Sequence, residues 1–105
     1  MIIKNGKLFQ EQGAFCEGDL YIENDKIAAT AEGEVIDATG LYVIPGLTDI
    51  HFHGCVGYDF CDGTQEALTA IAEYQLQNGI TSICPASMTF SEEQLTAIFK
   101  NAADY

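Results

Sequence analysis

The sequence contains no arginine, and its only permanent cations are four lysines set against sixteen carboxylates, a formal net charge of −12. That balance makes nucleic acid and anionic membrane poor partners. The missing guanidinium also removes the planar bidentate clamp for phosphate or carboxylate, so an anionic substrate must be gripped by groups elsewhere. No apolar run approaches the roughly 18–20 residues that span a bilayer, and Met1-Ile2-Ile3-Lys4-Asn5-Gly6 breaks too early to be a signal segment. The four cysteines Cys16, Cys55, Cys61 and Cys84 show no C-x-x-C spacing, so reduced thiols and a cytoplasmic location are expected. With only two prolines and 48% hydrophobic residues, the composition is that of a folding, globular chain.

The first 45 residues have a β pattern. Asn5-Gly6 between Ile2-Ile3-Lys4 and Lys7-Leu8-Phe9 predicts a hairpin, because both residues tolerate the positive φ of a type I′ turn. Asp19–Glu23 alternates, Asn24-Asp25 turns, Lys26–Ala29 returns, and Glu34–Asp37 gives a further short strand. Short strands at this spacing predict a small β-rich domain over 1–45, like a sandwich or partial barrel. Its open edges and few large apolar residues call for strands from outside this stretch.

From residue 46 to residue 105 the pattern becomes β-α-β-α. Leu47–His53 is a buried-strand candidate, and Leu68, Ile71, Ala72 and Leu76 recur at helical spacing between a cap at Asp62 or Thr64 and a stop at Asn78-Gly79. Ile80–Cys84 is a β-branched strand, and Ser91-Glu92-Glu93-Gln94 is a capping box opening a helix with Leu95, Ile98, Phe99 and Ala102 on one face. Two strands are too few to bury both faces of a parallel sheet. The expected architecture is therefore α/β, a small β-sandwich-like domain followed by the first two β-α units of a (β/α)₈ barrel, which typically needs about 250 residues. The chain is accordingly expected to be the amino-terminal portion of a longer protein.

Chemistry concentrates at His51-Phe52-His53, the only histidines present. Residues two apart in a strand share a face, so both imidazoles can converge on a divalent metal at the carboxyl end of the first candidate barrel strand. The alternative is a hydrogen-bonded pair of core histidines. Asp49 shares their strand parity and is expected to support them or the fold. Cys55 or Cys61 could complete a small zinc site with the histidines, although no knuckle spacing is present. Cys84 is expected to be a buried small hydrophobe, and Asp59 and Asp62 to satisfy turn backbone or cap the next helix.

Pro45-Gly46-Leu47-Thr48-Asp49-Ile50-His51-Phe52-His53-Gly54 resembles the P-G-x-x-D-x-H-x-H motif of the amidohydrolase superfamily. His53-Gly54-Cys55-Val56-Gly57-Tyr58-Asp59-Phe60-Cys61-Asp62 and Gly79–Thr89 further resemble stretches of N-acetylglucosamine-6-phosphate deacetylases, with Ala86 and Cys61 departing from the family pattern. Dihydroorotases usually carry an arginine just after H-x-H; this chain has none.

The resemblance implies a metal-dependent hydrolase that removes acetate from N-acetylglucosamine 6-phosphate in amino-sugar catabolism. His51 and His53 match the ligands of a divalent ion, zinc, iron or another, with one or two ions per subunit. Some family members lack this pair and use a single site built from later residues. The resemblance places the other metal ligands, the catalytic aspartate and the phosphate-binding groups after residue 105, so the segment alone is expected to be inactive. It also implies a small-molecule sugar-phosphate partner and a homo-oligomer, a dimer, for the whole protein. The competing reading is a non-catalytic binding module, or another amidohydrolase of dihydroorotase or hydantoinase type.

Overall fold

The computed structural model describes residues 1–105, which divide into two compact units, Met1–Pro45 and Gly46–Tyr105. In the first, β1 (Ile2–Phe9), β2 (Phe15–Glu23), β3 (Lys26–Ala28), β4 (Val35–Asp37) and β5 (Tyr42–Val43) make one mixed sheet. β1 lies between β2 and the two short strands β4 and β5, which run parallel to its two ends. Asn24 and Asp25, at φ 50° and 60°, join β2 to β3 in the expected hairpin.

The hairpin expected at Asn5-Gly6 does not form. β1 runs straight through, and the positive φ of Asn5 (60°) serves a bulge, Lys4 and Asn5 lying opposite the single residue Asp19. Distant partners decide the outcome. Asp19 Oδ1 accepts the Asn5 backbone N–H at 3.0 Å, and Asp37 Oδ1 accepts its side-chain amide at 3.2 Å. Gly6 is buried, and a Cβ there would sit 2.7 Å from Val43 Cγ2. With β1 unbroken, all five strands fall in one sheet, so residues 1–45 build a single layer rather than the two of a sandwich.

The second unit contains β6 (Leu47–Phe52), β7 (Gly54–Cys55), β8 (Tyr58–Asp59), a 3₁₀ turn (Phe60–Asp62), α1 (Gln65–Gln77), β9 (Ile80–Pro85) and α2 (Glu92–Ala103). β6 and β9 pair in parallel around α1, the β-α-β-α order read from the sequence. Thr64 caps α1, its hydroxyl accepting the Ala67 N–H at 3.2 Å, and the Ser91/Gln94 capping box opens α2. The buried face of α1 is Ala67, Leu68, Ile71 and Gln75; Leu76 turns away and is 63% exposed. Phe60, from the loop, packs with Leu68 and Ile98 to form the core cluster of this unit.

Candidate metal centre

β6 does not keep a regular alternation. From Asp49 to Phe52 it advances three residues while β9 advances two, Ile83 to Pro85, so one extra residue is inserted at Ile50-His51. The shared parity expected of Asp49 with His51 is broken there. Asp49 Oδ2 accepts from Gln75 Nε2 on α1 at 3.3 Å, whereas Ile50 is 77% exposed. The same carboxylate accepts the backbone N–H of His51 through Oδ1 at 3.1 Å, satisfying a donor that the bulge takes out of register.

The two imidazoles do come together. Their centroids lie 5.2 Å apart with the rings nearly perpendicular, His51 exposed and His53 partly buried. His53 Nδ1 is 2.9 Å from the carbonyl oxygen of Ala86, just past β9. A carbonyl can only accept, so Nδ1 carries a proton, and in the neutral ring Nε2 keeps a free lone pair. Metal-binding histidines are oriented in this way, with the second nitrogen donating to a backbone carbonyl. The donor set therefore fits a divalent ion, but incompletely. No group of three His, Cys, Asp or Glu side chains is assembled, so an ion here would find at most the two imidazoles and no cysteine beside them.

The loop after His53 is tied down locally. Asp59 and Asp62 cap the 3₁₀ turn reciprocally, Asp59 Oδ1 accepting from Cys61 N–H at 2.7 Å and Asp62 Oδ2 from Asp59 N–H at 2.8 Å. The Phe60 N–H donates to the His53 carbonyl at 2.7 Å, closing the loop onto the strand end. A Cβ on Gly54 would collide with the Tyr58 carbonyl and the Asp59 backbone, so the β7–β8 hairpin requires glycine beside His53. Tyr58 donates to Glu66 at 2.9 Å, and that bond, with the negative charge of Glu66, raises the phenol above its ordinary range. Burial pushes the Cys55 and Cys61 thiols up, which favours the protonated form over a thiolate ligand. Cys84 is exposed, not buried as expected, because its side of β9 carries no covering element in this unit.

Two contributors escaped the sequence reading. Ala86 acts through its carbonyl, which no side-chain pattern reveals. Gln75 did leave a signal, a polar residue continuing the 68, 71, 75 spacing of the buried face of α1.

No family model matches the chain. Its whole length superposes on the N-acetylglucosamine-6-phosphate deacetylase of Thermotoga maritima with a TM-score of 0.80 and 26% identity, covering 28% of that protein. Among curated sequences it is similar to dihydroorotases. That of Bacillus thuringiensis (strain Al Hakam) is 40% identical over 58 residues, half of this chain and 14% of the relative. That of Bacillus licheniformis is 45% identical over 58 residues, with the same coverage. The chain thus spans 14% of the length of these curated relatives. The likeness in sequence is to dihydroorotases and the likeness in fold to a deacetylase, both hydrolases of the amidohydrolase kind.

Proposed function

We propose that these residues are the amino-terminal portion of a metal-dependent amidohydrolase whose whole-protein reaction is deacetylation of N-acetylglucosamine 6-phosphate. The observation that carries the proposal is the superposition of all 105 residues, both units included, on a deacetylase. On this reading the second unit contributes the first two β-α units of a (β/α)₈ barrel, and the first-unit sheet is completed by strands from elsewhere in the protein. His51 and His53 hold one divalent ion, zinc or iron. Such an ion polarises a carbonyl oxygen and makes a bound water acidic near neutral pH. The chain's own residues prepare the ligands: the Ala86 carbonyl keeps the His53 Nδ1 protonated, and the capped 54–63 loop fixes the strand end. The same reading has the protein act in the cytoplasm, as a homodimer, on a small sugar phosphate.

A second reading, hydrolysis of a cyclic amide, is favoured by the 40–45% identity to dihydroorotases over 58 residues. Against it stand the shorter span of that likeness and the absence of any arginine from the chain, where those enzymes usually carry one just after H-x-H. Assay of the purified whole protein with divalent metal separates the two. Acetate release from N-acetylglucosamine 6-phosphate is expected; turnover confined to dihydroorotate would overturn the deacetylase assignment and keep the amidohydrolase one.

A further inference from the structure

We propose that Asp49 and Gln75 form a positioning pair that sets the orientation of His51 from behind the strand; the proposal rests on the reading of His51 and His53 as metal ligands. Gln75 is the one buried polar residue of the chain, 6% exposed on the packed face of α1. Its side-chain amide donates to Asp49 Oδ2 at 3.3 Å, which leaves Asp49 Oδ1 facing the His51 backbone N–H at 3.1 Å. The relay therefore runs from the helix, through one carboxylate, to the backbone of the bulge that presents an imidazole. A bulge re-aims side chains but surrenders ladder hydrogen bonds, and a bulged backbone without a replacement partner can settle in more than one orientation. Here Asp49 supplies the replacement and Gln75 fixes Asp49. Their hydrogen bonds reach the backbone of His51 and not an imidazole, so their effect travels through that backbone.

The chemistry of the pair gives a swap test. Gln75→Glu sets a carboxylate against a carboxylate and removes the donor. Asp49→Asn together with Gln75→Glu restores one amide and one carboxylate in reversed order, with the asparagine oxygen still able to accept from His51. Gln75→Met keeps the packing volume and removes only the hydrogen bond.

The whole protein, labelled with ¹⁵N, is titrated with Zn²⁺ while the imidazole ¹⁵N resonances and the His51 amide proton are followed. The Ile71 amide, on the same helix, reports that α1 remains folded. Gln75→Glu and Gln75→Met are expected to weaken the zinc response about 10–100-fold and to speed exchange of the His51 amide, and the double variant to restore both. If Gln75→Glu fails to fold, Gln75→Met and the double variant still decide the matter. The proposal is overturned if Gln75→Met leaves both readouts at wild-type values, or if the folded double variant does not recover them. A wild-type chain whose histidine resonances ignore zinc would instead sink the metal reading, and the His51 amide would still decide whether the pair holds the bulge.

Discussion

At the scale of single residues, the decisive feature is which nitrogen of His53 is free. With Nδ1 committed to the Ala86 carbonyl, Nε2 is the one available donor of that ring. If the pair holds an ion as proposed, His51→Ala and His53→Ala are each expected to remove it from the whole protein, because a site with few protein ligands tolerates little loss of coordination. Metal analysis of the two purified variants checks this. Core histidines would behave otherwise, leaving metal content intact and lowering stability by about 1–3 kcal/mol. Asp37 offers an independent residue-level test. It accepts from Thr39 Oγ1 at 2.6 Å, Thr39 N–H at 3.0 Å and Asn5 Nδ2 at 3.2 Å, and the Thr39 hydroxyl foremost, then Asn5, holds it below the ordinary value of 3.8. A depressed carboxylate pKa adds stability above its unfolded value, and that stability is lost as pH falls through the lower folded value. An NMR titration should place the Asp37 midpoint under 3.8, and Thr39→Val should return it upward.

The elements show where sequence patterns stop being informative. The helix caps, the parallel order of β6, α1 and β9 and the β2–β3 hairpin were legible because each depends on residues a few positions apart. The two bulges were not. Asn5-Gly6 satisfies a hairpin and a bulge equally well, and the choice is made by Asp19 and Asp37, fourteen and thirty-two positions away. At Ile50-His51 the motif itself was plain, but the broken alternation depends on the register of β6 against β9. The β7–β8 hairpin was hidden in what reads as a glycine-rich loop, and its turn places Val56 at φ 48°. A β-branched residue is strained in the left-handed region, where asparagine is not. Val56→Asn should therefore stabilise the chain by about 1 kcal/mol. Gly54→Ala, whose new methyl meets backbone that cannot yield, should destabilise it by about 1–3 kcal/mol. Urea denaturation of both variants reads the two signs directly.

At the scale of the whole molecule, charge and exposed apolar surface oppose each other. Only six hydrophobic side chains are buried, Ala38, Phe60, Ala67, Leu68, Ile71 and Ile98. Ile27 and Ile50 are each 77% exposed, Leu47 is 52% exposed and Leu76 63%. So much apolar area left in water favours association, since its removal from solvent is worth about 25 cal/mol per Å². The formal charge of −12 works against it by mutual repulsion. Salt separates the two terms: at about 0.15 M the Debye length falls to about 8 Å, which screens the repulsion and leaves the hydrophobic contribution in place. The 105-residue chain is therefore expected to self-associate more strongly as salt rises from low to physiological levels, in sedimentation velocity runs over a concentration series. Thermal unfolding at low salt should be broad, because two small units with few buried side chains have little to make them melt together. A chain that stays monomeric at every salt concentration and unfolds in one sharp transition would contradict this, and would mean that the exposed faces of both units are stable in water without covering strands.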